Sequence, residues 1–240
     1  MSSPRLWHEG RAYREYRSLR RDPVFSGEGV ADGGGRPVMT IPGFWTDDRS
    51  MGAMRAWLRG AGYVSSASHV GLNVRCSEDA VRRLERRLED LAHRRGARVA
   101  IVGHSRGGQF ARALSVRRPD LVAGIVTLGA PPMNPAAVSV GPAFGFSLAL
   151  ALGTLRVPGF LGPSCIVGRC CRDFRRQLEM APPPGVPWVS VYSRDDAFVD
   201  WRLMGDERAT RRVEVTGSHL GLSVNAGAYR AIAEALPGFA

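Results

Sequence analysis

The residue with the clearest chemical promise in this chain is Ser105, set in the run VAIVGHSRGG at 99–108 with glycines at 103, 107 and 108. Residues 98–103 (RVAIVG) read as a continuous apolar strand of the type that a sheet buries on both faces. Residues 106–117 read as a helix that ends before Pro119. A serine at such a junction stands on a sharp turn. Gly103 and Gly107 avoid side-chain clashes there, and Gly108 permits close helix packing. Its hydroxyl then lies at the carboxyl edge of the sheet beside a helix N-terminus, where amides and dipole favour developing negative charge. G-x-S-x-G alone is a weak signal, and the strand before it and the helix after it are what make it specific.

A serine hydroxyl is a poor nucleophile without a base, and the base needs an acid to orient it. For this strand–turn–helix architecture the expected chain order is serine, acid, histidine. Of the five histidines only His219 follows Ser105, in the run GSHLGL just beyond a predicted strand at 212–216. His104 is the variable residue of the turn and should point away from the Ser105 hydroxyl. His69 precedes the serine, and His8 and His93 read as surface residues. The acid should follow the predicted strand 187–193 (PWVSVYS), where Asp195, Asp196 and Asp200 are candidates. Asp196 is preferred, because Val199 can pack inward while the carboxylate turns towards the histidine. Asp195 and Asp200 read as turn and surface charge. Two backbone N–H groups must face the serine to hold an oxyanion. They are assigned to Arg106, directly after it, and to Phe44, in the turn IPGFW that follows the first core strand.

The elements that position these residues alternate. Short apolar strands at 37–41, 98–103, 122–128, 187–193 and 212–216, with a weaker one at 63–67, are separated by helical patterns. The clearest helix is Ser77–Arg95, with Ser77 as N-cap, Glu78 and Asp79 in the first turn, and Val81, Leu84, Leu88 and Leu91 on one stripe. Such alternation specifies a doubly wound, mainly parallel sheet with helices on both faces. Residues 36–132 and 187–240 are read as this core, and 1–35 as an amphipathic helix with a glycine-rich loop. Residues 133–186, rich in Gly, Pro and apolar side chains, are read as an inserted cap or lid. An apolar lid over the serine would make the water-excluding pocket that acyl chains favour.

In these motifs the chain resembles the α/β-hydrolase superfamily, over nearly all of 36–240. IPGF, GHSRGG, PDLVAGIVTLGAP, YSRDDAFVDW and GSHLGL look like its lipase and PGAP1-like serine esterase branch. That resemblance implies a reduced sheet of about six strands, a Ser105–His219–Asp196 triad, and oxyanion donors at Phe44 and Arg106. It implies cleavage of a carboxylic ester with an apolar acyl group through an acyl-enzyme, with no metal and no cofactor. Acyl transfer or thioester cleavage on the same triad, and a non-catalytic lipid-binding protein, are the competing readings. The chain departs from the pattern at its N-terminus, where many members have two antiparallel strands. It departs also at Arg106, where lipases often carry Met, Leu or Gln.

Composition narrows the partners. All 33 basic residues are Arg, against 22 acids, giving a net charge of +11. Arg without a single Lys points to a genomic base bias rather than to a surface built for phosphate, so nucleic acid is not an expected partner. With no signal-like apolar run in the first thirty residues the expectation is cytoplasmic. Prolines also interrupt the uncharged stretch 121–155 too often for a spanning helix. The arm 6–19 mixes Leu6, Trp7, Tyr13, Tyr16 and Leu19 with arginines. It could dock weakly on an anionic membrane, though packing on the core is the favoured role. Four cysteines are too few for a disulfide scaffold. Cys165, Cys170 and Cys171 have no accompanying histidine, so zinc is not expected and reduced thiols are preferred over a bridge.

Overall fold

The computed structural model describes residues 10–131, 140–166, 168–204 and 207–239, with side chains for all of these except 140–142, 203 and 204. In chain order the elements are α1 (Ala12–Leu19), β1 (Pro37–Ile41), α2 (Gly52–Gly60), β2 (Val64–Ala67), α3 (Ser77–Arg95), β3 (Val99–His104) and α4 (Arg106–Arg117). There follow β4 (Val122–Leu128), α5 (Val140–Thr154), α6 (Arg172–Glu179), β5 (Trp188–Ser193), α7 (Trp201–Met204), β6 (Arg211–Val215) and α8 (Ala226–Ala235).

Every residue of β1, β3 and β4 is buried, as their unbroken apolar runs demand. The six strands form one sheet, parallel at every pairing, in the order β2-β1-β3-β4-β5-β6. Successive side chains leave a strand on opposite faces, so the core is double. Val38, Ala100, Val102 and Val126 pack with Leu19, Trp57, Leu58, Tyr229 and Ile232 on one face. Met39, Ile41, Ile101 and Ile125 pack with Leu84, Leu88, Phe110, Phe174 and Trp188 on the other. From β1 the chain passes outward to β2 and then returns to place β3 on the other side of β1. Loops leaving β1 and β3 therefore part above the sheet, and a crevice opens between them at the carboxyl ends. The register Ile41 opposite Gly103 puts the β1 turn directly beside Ser105.

Several local expectations change in the folded chain. Cys76, not Ser77, is the N-cap residue of α3: its ψ of 131° is extended, whereas Ser77 is already helical. The Ser77 hydroxyl instead accepts a hydrogen bond from Arg106 (3.1 Å). A 3-10 turn, Asp48–Met51, precedes α2. At the N-terminus Leu19 and Val24 are fully or nearly buried, and the Trp57 indole donates to the Val24 carbonyl (2.8 Å). The described part of the arm thus packs on the core, with Tyr13 left exposed; Leu6, Trp7 and His8 lie outside the described residues. Among the described residues, no helix is long and apolar enough to cross a membrane.

The segment between β4 and β5 divides into two physically different parts, and its start at 133–139 lies outside the described residues. Helix α5 carries no charged residue, and it exposes Phe144, Phe146 and Leu148 while burying Ala149, with Leu155 exposed just beyond its end. Helix α6, by contrast, is strongly amphipathic and belongs to the main core. Phe174 packs edge-on against Phe110 (5.7 Å between centroids), and the Arg112 guanidinium donates to the Leu178 carbonyl while lying over the Trp188 ring. Phe174→Ala should therefore cost about 3–5 kcal/mol, the range for truncating a fully buried aromatic. Urea unfolding should show a lower midpoint at unchanged slope. A loss below about 1 kcal/mol would mean that α6 is peripheral to the core.

Candidate active site

Ser105 joins β3 to α4 with φ 51° and ψ −119°, a left-handed backbone conformation that strains any residue with a side chain. The strain persists because three backbones crowd together beneath it. A Cβ at Gly103 would lie 2.4 Å from the Gly107 carbonyl oxygen, and one at Gly107 would lie 2.3 Å from that of Ile41. Only hydrogen fits at either position. The turn is fastened by the Ser105 N–H to the Leu128 carbonyl (2.8 Å) and by the Gly108 N–H to the Ser105 carbonyl (2.9 Å).

His219 reaches this hydroxyl from the opposite side, out of the loop between β6 and the 3-10 turn Leu220–Val224. Its Nε2 lies 2.9 Å from Ser105 Oγ, and its Nδ1 lies 2.6 Å from Asp196 Oδ2. A carboxylate can only accept, so Nδ1 carries the hydrogen and Nε2 is left to accept from the serine. The Asp196 side chain is fully buried, and its other oxygen accepts from the Phe198 and Val199 N–H groups (2.8 Å each). Val199 is buried behind it. Asp200 faces solvent and pairs with Arg202, while Asp195 follows the Ser193 hydroxyl in the turn. Of the three acids only Asp196 meets the histidine.

Two supports of this line had no signal in the local sequence. Glu15 of α1 accepts from the Ser218 N–H (2.9 Å) and pairs with its hydroxyl (3.2 Å), which fixes the residue before His219 from the far end of the chain. Gly129, at φ 57° just after β4, leaves room for the Asp196–His219 pair. A Cβ there would stand 3.2 Å from His219 Nδ1 and 3.3 Å from Asp196 Oδ2.

The β1 turn faces the serine, and a Cβ at Gly43 would lie 3.4 Å from that of Ser105. The Phe44 N–H has no acceptor among the described residues. Arg106 is the first residue of α4, where helix geometry leaves the N–H without an intrahelical partner. The Arg106 side chain turns away from the serine and is almost wholly buried. Its guanidinium donates to the Asn73 and Arg75 carbonyls (2.9 and 2.5 Å) and to the Ser77 hydroxyl. It also lies over the rings of Phe44 and Phe110. Burial lowers its pKa to about 10, which leaves it charged at neutral pH.

His104 donates its Nε2 hydrogen to the His219 carbonyl (2.8 Å). The roof over the β1 turn is apolar. Phe44 meets Phe146 of α5, Trp45 meets Phe160, and the Trp45 indole donates to the Gly145 carbonyl (2.9 Å).

A sequence model of the α/β-hydrolase fold matches residues 49–154. No curated protein matches the sequence. Among solved structures, a metagenomic carboxyl esterase superposes with a TM-score of 0.66 at 14% identity, over 87% of this chain and 77% of its own. A Bacillus licheniformis lipase in its mature form gives 0.61 at 14% identity, over 86% and 93%. A Paleococcus ferrophilus monoacylglycerol lipase gives 0.60 at 18% identity, over 86% and 97%. The chain has the α/β-hydrolase fold in a six-stranded, all-parallel form. These three structures are named as an esterase and two lipases, and the names do not single out the PGAP1-like branch.

One pH effect follows from the geometry. Burial, and after it the neighbouring His219, lower the His104 pKa to about 4. In the unfolded chain a histidine takes up its proton near pH 6.5. The unfolded state thus binds more protons between these values, and stability should fall as pH drops from about 6.5 towards 4, by roughly 3 kcal/mol in all. His104→Gln should flatten that part of the pH dependence in urea unfolding. An unchanged pH dependence would place the proton uptake elsewhere.

Proposed function

We propose that this protein is a serine hydrolase that cleaves a carboxylic ester with an apolar acyl group. The observation that carries this reading is the unbroken hydrogen-bonded line from Ser105 through His219 to buried Asp196. His219 Nε2 takes the proton as Ser105 Oγ attacks the ester carbonyl. Asp196 holds the imidazole in the required tautomer and stabilises the imidazolium that forms. The carbonyl oxygen, now negative, rests on the Phe44 and Arg106 N–H groups. His219 then protonates the departing alkoxide, and the acyl group remains on Ser105. Water, deprotonated by the same imidazole, attacks the acyl-enzyme, and collapse of the second tetrahedral intermediate returns the proton to Ser105 and frees the acid.

An apolar acyl group is favoured by what stands over the oxyanion turn. Phe44, Trp45, Phe146 and Phe160 offer rings and no charge there, and Phe144 of α5 and Leu155 just after it are more than 70% exposed. An exposed apolar face of this kind suits a lid that meets a lipid-like substrate. It is also the part of the molecule that would rest on a membrane surface, with the arginine-rich α1 end adding weak attraction to anionic lipid.

A fluorophosphonate probe should label the wild-type protein and leave Ser105→Ala unlabelled; equal labelling of the two would overturn the reading. With p-nitrophenyl esters of graded chain length, His219→Ala and Asp196→Asn should each lower kcat by at least about 10³-fold, because the three residues act as a unit. Asp195→Asn and Asp200→Asn should stay near the wild-type rate.

A further inference from the structure

All four cysteines of the chain meet at one place, although they come from three separate segments. Cys76 precedes α3. Cys165 closes the 3-10 turn Pro163–Cys165, and Cys170 and Cys171 end the 3-10 turn Arg169–Cys171 that leads into α6. The four sulfurs lie within 4.8 Å of one another, with Cys76 3.4 Å and Cys170 3.7 Å from Cys171. A zinc ion with four thiolates at about 2.3 Å makes a tetrahedron whose sulfur–sulfur edges are about 3.8 Å. The observed spacing brackets that value. A disulfide would use two of the four and leave the others unexplained, and an iron–sulfur cluster interposes several metal ions and spreads its thiolates more widely. The three cysteines near 165–171 gave no metal motif in the sequence because the fourth ligand lies about ninety positions upstream.

We propose that Cys76, Cys165, Cys170 and Cys171 form a tetrahedral thiolate site for one zinc ion, which clips the segment leading into α6 to the loop ahead of α3. Binding exchanges four thiol protons for one divalent ion, so the site carries a net double negative charge. Cys170, the exposed member, gives up the thiol hydrogen that it donates to the Ser164 carbonyl. The surroundings suit that charge. The Arg106 guanidinium is bonded to the residues on either side of Cys76. Arg175 donates to the carbonyls of Cys165 and Gly168 and so holds the turn between the ligands. Through Arg106 the site also reaches the Phe44 ring and the oxyanion turn. Zinc here is a structural brace and takes no part in the ester chemistry.

The test is metal content, which does not depend on the triad. Full-length protein from zinc-supplemented cells, purified under mild reductant, should carry about one zinc per chain by mass spectrometry, and so should Ser105→Ala. Cobalt replacing zinc should give the intense thiolate-to-metal band and the visible bands of a tetrahedral sulfur site. Cys76→Ala and Cys171→Ala should lose the bound metal. Because removing a ligand can also unfold the chain, the wild-type protein carries the decision. Native protein with four freely reactive thiols after zinc loading, and no cobalt spectrum, would overturn the proposal. So would a Cys76–Cys171 disulfide found under the same reducing conditions.

Discussion

The close approach of three backbones under Ser105 is the constraint on which the site depends. Gly103 faces the Gly107 carbonyl, and Gly107 faces that of Ile41, at separations that admit no Cβ. This packing holds Ser105 in a conformation it would not adopt in a free chain. It also locks the β1 turn, the β3 end and the first turn of α4 into one rigid unit. The sheet makes this affordable, because the buried register of β1 on β3 leaves the strand ends no freedom to slip by a residue.

Around that unit, polar groups are used to fix direction rather than to add stability. Arg106 illustrates the point. A charge buried this deeply is costly unless its hydrogens are satisfied, and its planar fork reaches two carbonyls and a hydroxyl on the 73–77 loop while its faces meet two aromatic rings. A lysine could not stack between the rings or span the three acceptors in this way. The residue after Ser105 therefore keeps its own amide on the serine side and ties the neighbouring loop to the aromatic turn on the other.

Asp196 and His219 are held in a similar manner from a distance. Asp196 is aimed by two amides of its own turn, so its second oxygen can point only at His219. His219 is steadied by Glu15 through Ser218 on one flank and by His104 through its own carbonyl on the other. In a chain without an antiparallel strand pair ahead of β1, among the described residues, α1 thus supplies both packing against the core and the carboxylate that anchors the His219 loop.

Much of this was legible from residue order, because the signals are local. The buried strands are unbroken apolar runs, α3 and α4 run between the predicted ends, and the elbow needs glycines at fixed offsets from the serine. The order of Ser105, Asp196 and His219 singled out the histidine and narrowed the acid to one loop. What residue order could not reveal are contacts between side chains far apart in the chain, which leave no period or spacing to read. Glu15 and Ser218 are 203 positions apart, and Cys76 and Cys171 are 95 apart. The same holds for α6: its Gly- and Pro-rich surroundings read as a cap, whereas Phe174 packs against Phe110 in the core. The sequence by itself determined the strands, the turn at Ser105 and the order of Ser105, Asp196 and His219 along the chain. Only the tertiary structure decided which distant side chains would brace them, since that depends on how the helices pack across the sheet.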